Sequence, residues 1–417
     1  MKALFLTTLY APDIGANARI MTDLALDFRS AGHEVTVVTT HPHYTVGTAT
    51  APQGKQTLRI EEIDGVRVVR VPTYLPRRRT IANRAASFVS YMLAAPRAVR
   101  RQGIEADAIV AICPPLTTGF AAWRAGRRLR IPYAFLIQDL YPETAIELGY
   151  LRNPGLVAAA RAFADFVHRH ASLLGVISEG FRTSLASRGI PEARIRTFPN
   201  WVDEERFRPR PEDHAAQRAS LGVEGKFVVL FAGTMGLAQG LDRVLPEAMA
   251  MLADDPGIVF VLLGGGLRRA ALEEECRARG LGQVRFVGPQ SHDRMPSWLA
   301  IADAFLVHLR DIPLYRATIP SKTYEYMAMG RPILMAVGGE AASLVRTSGC
   351  GITVPSEDPA ALADAVRRLA RDPALCAEMG DRGRTYAVQH FSRRAVTGAF
   401  IREVERMASA SQGDPSA

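Results

Sequence analysis

Short, uninterrupted apolar runs alternate with amphipathic stretches along this chain, and the whole alternation occurs twice. In the first half KALFLTT (2–8), EVTVVTT (34–40), VRVVRVP (66–72), DAIVAIC (107–113), YAFLIQ (133–138) and LLGVIS (173–178) read as strands. Helical apolar spacing lies between them at Ala18–Ala31, Phe120–Leu129 and Val157–Arg169. The second half repeats the scheme with FVVLFAG (227–233), GIVFVLLG (257–264), VRFVG (284–288), AFLVHL (304–309), PILMAV (332–337) and GITV (351–354). Strands that are apolar on both faces and separated by helices imply a parallel sheet covered on both sides. The chain therefore reads as an α/β protein of two Rossmann-like parallel-sheet domains. The polar, proline-bearing stretch NWVDEERFRPRPEDH marks the boundary. Expected limits are 1–200, 201–392, and a C-terminal helix in 393–417 that could cross back, with a tail frayed from Ser409. Ligands of open parallel sheets bind beyond the carboxyl ends of the strands, so a central cleft between the two domains is expected.

Charge narrows the picture. Lys and Arg number 51 against 42 Asp and Glu, a net charge of +9. Nine arginines and no acid lie between Gly65 and Ile104; without them the balance is 42 against 42. The body is thus neutral and carries one basic stretch. Four cysteines far apart in sequence, with no CxxC pair, argue against a disulfide scaffold or zinc site and fit a reducing compartment. The apolar start at Lys2–Thr8 is too short for a signal peptide and leads into a turn and a helix, as a first buried strand does. No run reaches the ~20 apolar residues that span a bilayer. The expected location is cytoplasmic.

Three glycine-rich strand ends point to a phosphate-bearing ligand. PDIGANAR (12–19) places Gly15 before a helix, FAGTMGLAQG (231–240) places Gly233, Gly236 and Gly240 around a turn, and LLGGG (262–266) follows another strand. Glycine lets backbone N–H groups approach an anion at a helix N-terminus. Neither a Walker pattern nor GxGxxG is present. The densest segment is IPSKTYEYMAMGRPIL (319–334), with Pro320 in a first helical turn and Ser321, Lys322 and Glu325 on one face. A hydroxyl and an ammonium there suit a phosphate, and Glu325 suits a sugar diol; a plain solvated Lys–Glu pair is the alternative. Lys322 is one of four lysines in an arginine-dominated chain, and the two cations are not interchangeable at phosphate sites.

These segments carry a resemblance. YAPDIGANAR, AGHEVTVVT, ICPPLTTGFAA, IQDLYPETAIELG, FPNWVDEERFRP, AGTMGLAQGLD, FVGPQSHDRMP, IPSKTYEYMAMGRPIL and GGEAASLV with GCGITVPSEDPAAL follow one another across nearly the whole chain. The chain resembles the family 4 glycosyltransferases of GT-B fold, and within them the WbuB-like subgroup that builds bacterial surface polysaccharides. The resemblance implies transfer of a sugar from a nucleotide-diphosphate donor, with retention and with no metal or other cofactor. It implies that Glu325 holds the ribose and that Ser321 and Lys322 meet the diphosphate. Gly15 and the turn of Gly233, Thr234, Met235, Gly236 and Gln239 support it, with Gly265 nearby, while the backbone around Val287–Pro289 reads the base. The absence of an obvious DxD pair agrees with a metal-free site, in which cations and backbone dipoles stabilise the leaving diphosphate. Two departures stand out. Thr234 and Gln239 occupy places where many members carry Arg and Lys, and Ala317 occupies the place of a Glu that addresses the transferred sugar.

Asp139 ends a strand in IQDLYPE, where it either caps the next turn or faces the cleft; the resemblance makes it an acceptor-side residue able to orient or deprotonate a hydroxyl. Glu143 is its weaker companion. His33 reads as structural, and His41 and His43 lack a third metal ligand nearby. In 76–101, Arg77, Arg78, Arg79, Arg97, Arg100 and Arg101 mix with Phe88, Tyr91, Met92 and Leu93. A core-packed helix with a solvated end is one reading; no nucleic-acid motif is present. A basic amphipathic helix on an anionic membrane is the other, which suits a polyprenyl-diphosphate-linked saccharide acceptor at the inner face of the cell membrane. The catalytic set is Asp139, Lys322 and Glu325. A nucleotide-sugar 2-epimerase of the same architecture and a silent nucleotide-sugar-binding scaffold remain alternatives.

Overall fold

The structure, a computed structural model, describes residues 1–13, 15–43, 56–75, 80–210 and 214–412. The chain divides into two compact units, Met1–Pro199 with Val396–Ala417, and Asn200–Ala395.

In the first unit the order is β1 (Lys2–Leu6), α1 (Ala16–Ser30), β2 (Glu34–Thr40), β3 (Arg59–Ile63), β4 (Val66–Val71), α2 (Ile81–Arg101), β5 (Ala108–Cys113) and α3 (Leu116–Leu129). Then come β6 (Tyr133–Ile137), α4 (Glu143–Glu147), α5 (Pro154–His170), β7 (Leu173–Val176), α6 (Glu179–Ala186) and β8 (Ile195–Thr197). Among the described residues these strands form one sheet in the order β3-β4-β2-β1-β5-β6-β7-β8. The expected strands are present with slightly earlier ends. Two more flank them. β3 runs antiparallel to β4, and its RIEEI sequence is largely solvent-facing, so it lacks the apolar run that marks the others. β8 is three residues long and, among the described residues, pairs only with β7.

Helices cover the sheet through small residues. On α3, Gly119 lies so close to its neighbours that a Cβ there would come 2.3 Å from Val167 Cγ1 of α5 and 2.9 Å from Phe135 Cζ of β6. α2 begins at Thr80, whose hydroxyl accepts from Asn83 N–H at 3.2 Å, a side-chain N-cap.

The second unit runs α7 (His214–Leu221), β9 (Phe227–Ala232), α8 (Leu245–Met251), β10 (Ile258–Leu263), α9 (Arg269–Ala278), β11 (Val284–Val287), α10 (Met295–Leu299) and β12 (Ala304–His308). It continues with α11 (Lys322–Ala328), β13 (Ile333–Ala336), α12 (Glu340–Ser348), β14 (Gly351–Thr353), α13 (Pro359–Arg371) and α14 (Pro373–His390). Among the described residues its six strands are all parallel, in the order β11-β10-β9-β12-β13-β14. The last helix, α15 (Arg393–Gln412), starts in this unit and continues in the first. There Phe400 packs edge-on to Phe198 at 5.1 Å, near Phe28 of α1, and Glu405 meets His33 at 3.1 Å.

All four cysteines are free and buried. Burial raises all four thiol pKa values, to about 11 for Cys276, Cys350 and Cys376.

One polar interaction ties the first sheet together. Arg70 on β4 is 1% exposed. Its Nε donates to Glu61 of β3 at 2.5 Å, and its terminal nitrogens donate to the carbonyls of Thr40 at 2.9 Å and Ala11 at 2.6 Å. This buried charge is tolerated because a carboxylate and two carbonyls satisfy it. It also corrects the linear picture of the basic stretch: β3 lays Glu61 and Glu62 beside Val68 and Arg67, so Arg70 is interior and paired. Arg70→Ala is expected to cost about 3–5 kcal/mol by stranding Glu61. A lower urea midpoint for the first unit would show it, and Arg70→Lys should recover little, since an ammonium lacks the planar fork.

Candidate functional site

Strand order reverses beside β9 in the second sheet, where β10 lies on one side and β12 on the other. Loops leaving such a pair part and leave a crevice at their carboxyl ends. The loops after β9 and β10 are built from glycines with little room to spare. Gly264 has φ +140° and Gly266 φ +146°, and a Cβ on either would lie 2.0 Å from Gly233 O or 2.4 Å from Met235 O. The turn after β9 therefore lies directly on the turn after β10, through Met235 N–H to Gly265 O at 2.7 Å and Arg268 N–H to Met235 O at 2.9 Å.

That packing refines the glycine reading. The N–H groups of Gly233, Met235 and Gly236 already donate, to Leu263 O, Gly265 O and the Gln239 side-chain Oε1 respectively. They are not spare amides waiting for an anion. Met235 is buried in the apolar core, whereas Thr234 is exposed. Val287 is a buried strand end whose carbonyl accepts from Gly264 N–H; Pro289 is exposed and lies 3.3 Å from the Cβ position of Gly265.

What the turn offers is closeness. Gly233 has φ +136°, and a Cβ there would meet Lys322 Nζ at 2.8 Å. The same ammonium lies 3.6 Å from the centre of the Phe231 ring, a cation–π arrangement. Helix α11 is held to β9 by Tyr326, whose hydroxyl accepts from Ala232 N–H at 2.8 Å and donates to Ala232 O at 3.3 Å. Tyr326 also stacks on Phe305 of β12 at 4.0 Å. Pro320 precedes the helix rather than entering its first turn, and Ser321 is the N-cap with its hydroxyl unused in capping. Thr323, Tyr324, Tyr326, Met327 and Ala328 are buried, so Ser321, Lys322 and Glu325 share the partly open side. Burial of the Lys322 ammonium lowers its pKa to about 7.

His308, Arg310 and Glu357 join this site without any signal in sequence. His308 ends β12, Arg310 N–H donates to Ala238 O at 3.0 Å, and Glu357 pairs with Arg243 at 3.2 Å and Arg310 at 3.7 Å.

The first sheet has its own order reversal beside β1, between β2 and β5. Gly15, at φ +142°, caps α1, and Asn17 donates to Pro114 O at 3.0 Å across the loops after β1 and β5. Asp139 follows β6, half-buried, and burial raises its carboxyl pKa to about 7. An acid that exchanges its proton near neutrality can serve as a general base or acid. Glu143 differs: Arg188 at 2.6 Å and Arg161 at 3.5 Å hold its carboxylate, so its role is structural. Arg97, Arg100 and Arg101 are exposed on the last turns of α2, while Arg77, Arg78 and Arg79 lie outside the described residues. His41 is within 2.9 Å of Thr57 O, and His43 N–H donates to Asp13 at 2.8 Å. Among the described residues, no three His, Cys, Asp or Glu side chains gather as a metal site would need.

The buried ammonium has a thermodynamic signature. With a folded pKa below the 10.5 of a free lysine, the unfolded chain binds more protons between these values, so stability rises with pH in that window. Lys322→Met should therefore raise the second unit's melting temperature more at pH 6 than at pH 9. An equal shift at both, read by thermal unfolding, contradicts a depressed pKa.

Two family models match the chain: "Glycosyl transferase 4-like domain" over residues 15–201 and "Glycosyl transferases group 1" over 213–386. WcaI of Escherichia coli K12, a protein named for glycosyl transfer in colanic acid biosynthesis, is 25% identical over 97% of this chain and 100% of its own length. A D-inositol 3-phosphate glycosyltransferase of Geodermatophilus obscurus is 31% identical over 71% of this chain and 66% of its own. In fold, the chain is similar to sucrose-phosphate synthase from Thermosynechococcus elongatus (TM-score 0.76, 18% identity, 98% and 99% of the two chains). It is also similar to HepE of Anabaena solved with UDP-glucose (TM-score 0.74, 19% identity, 97% and 98%). The two largely parallel sheets, one in each unit, and the two consecutive family matches lead to one conclusion: the chain belongs to the family 4 glycosyltransferases of GT-B fold.

Proposed function

We propose that this glycosyltransferase takes a UDP-sugar on its second unit and transfers the sugar, with retention and without a metal, to a polyprenyl-diphosphate-linked saccharide in surface-polysaccharide synthesis. The observation that carries the donor half is the ammonium of Lys322 against Gly233 and Phe231. Desolvated, it gains strongly from a diphosphate and stabilises the charge that develops on the leaving group. Ser321 adds a hydroxyl, Glu325 accepts from the ribose diol, and the backbone at Gly288–Pro289 faces the base. The HepE structures solved with UDP and with UDP-glucose favour a uridine donor. On the first unit, Asp139 with its pKa near 7 accepts the acceptor's hydroxyl proton, and Gly15 opens the chain to the phosphates.

The acceptor half draws on α2. Ala82, Ala85, Ala86, Val89 and Leu93 are exposed at helical spacing, followed by exposed Arg97, Arg100 and Arg101. An outward apolar stripe ending in cations fits the headgroup level of an anionic bilayer better than open water. α2 packs on α3 and α3 on α5; these three helices contain nine arginines and one acid, Asp165. No helix among the described residues is long and apolar enough to cross a membrane.

Lys322→Ala and Glu325→Ala should each weaken UDP binding by roughly ten- to a hundredfold, the value of one charge-assisted hydrogen bond, and lower sugar transfer in step. Full transfer by either variant sinks the site; turnover of the donor alone to an epimerised sugar favours the epimerase. Neutralising Arg77–Arg79 with Arg97, Arg100 and Arg101 should release the protein from phosphatidylglycerol vesicles, at about 1 kcal/mol per arginine, with UDP affinity unchanged. Undiminished co-sedimentation would refute the membrane contact.

A further inference from the structure

His308 is 1% exposed at the end of β12 and has a partner at each ring nitrogen. Its Nδ1 lies 2.5 Å from Gln239 O, and Glu357 N–H donates to its Nε2 at 3.1 Å. The carbonyl can only accept, and the amide can only donate. The ring is therefore neutral, with its proton on Nδ1. A protonated ring would face the Glu357 amide with a second N–H and lose that contact. Burial lowers the pKa of His308, which keeps it neutral, against the opposing pull of the Gln239 hydrogen bond, Glu357 and Asp242.

Gln239 is pinned twice. Its carbonyl takes the His308 proton, and its side-chain Oε1 takes Gly236 N–H at 3.1 Å. Arg310 N–H holds the adjoining Ala238 carbonyl, and Gly240, at φ +56°, lies on the Arg310 side chain. The turn from Gly233 to Gly240 is thus anchored from β12 at one end while its other end abuts the Lys322 ammonium. A turn with three of its amides committed internally contributes through its position, and His308 is the buried side chain that sets this position.

We infer that His308 is a positioning residue for donor binding: through its Nδ1–H tautomer it holds the Gln239 turn where a nucleoside diphosphate meets Lys322. This rests on the donor site proposed above. An ordinary buried histidine would contribute to stability alone, so the test must separate affinity from stability. Asn at 308 places an amide where Nδ1 stands; Gln reaches only the Nε2 position. UDP is the probe, with binding measured by calorimetry well below each variant's melting temperature.

The expected result is that His308→Gln weakens UDP binding by roughly tenfold, the loss of one well-placed hydrogen bond. His308→Asn should stay within about threefold of the parent on the same scale, although both melt earlier. Equal UDP affinity in the two variants, whether lost or kept, overturns the inference. Should neither variant fold, the ¹⁵N-histidine spectrum of the parent protein decides. An Nδ1–H tautomer at His308 whose proton resonance moves on adding UDP supports it; an Nε2–H tautomer there, or a resonance unmoved by saturating UDP, refutes it. Lys322→Ala separates the two failures. If that variant binds UDP like the parent, the donor site itself is misplaced; if it does not, and the His308 pair behave alike, only the role of His308 falls.

Discussion

An ammonium placed against an aromatic face and a bare backbone organises the second unit. Lys322 could not occupy its place if residue 233 carried a side chain, and it would lie elsewhere if α11 were not held to β9 through Tyr326. Gly233 in turn can lie where it does because Gly264 lets the neighbouring turn touch its carbonyl. Two strand ends and helix α11 are thereby packed to contact distance around one desolvated cation. The stability of this arrangement comes from the apolar core beneath, including Phe231, Met235 and Leu262, and its cost is a lysine held short of full solvation.

The strands legible in sequence were those buried on both faces, because burial on both faces writes itself as an unbroken apolar run. RIEEI carries no such run: as an edge strand it exposes most of its residues, and edge strands tolerate charge. Lys322 was legible through scarcity, and Gly15, Gly233 and Gly265 through their places at strand ends. Met235 shows that a residue inside a glycine-rich turn can still point its side chain inward. His308 could not be found, since its role is made by Gln239 and Glu357, 69 and 49 positions away. A sequence read without relatives registers local chemistry well and long-range hydrogen bonds hardly at all.

Charge shows the same limit. Counting gave one acid-free stretch from Gly65 to Ile104, yet space divides it. Arg70 is interior and neutralised by a strand that lies earlier in the chain. Arg97, Arg100 and Arg101 are surface charges continuing an exposed apolar stripe. The two groups answer to different physics: the first organises a sheet, and the second is free to meet a partner.

The four buried thiols give the molecule a useful silence. With every cysteine enclosed and its pKa raised, none presents the exposed thiolate that electrophiles attack. A single new cysteine at exposed Thr234 would then be the one reactive handle on the whole chain, so a fluorophore could sit at the rim of the proposed sugar-nucleotide crevice without first stripping the protein of its native sulfur.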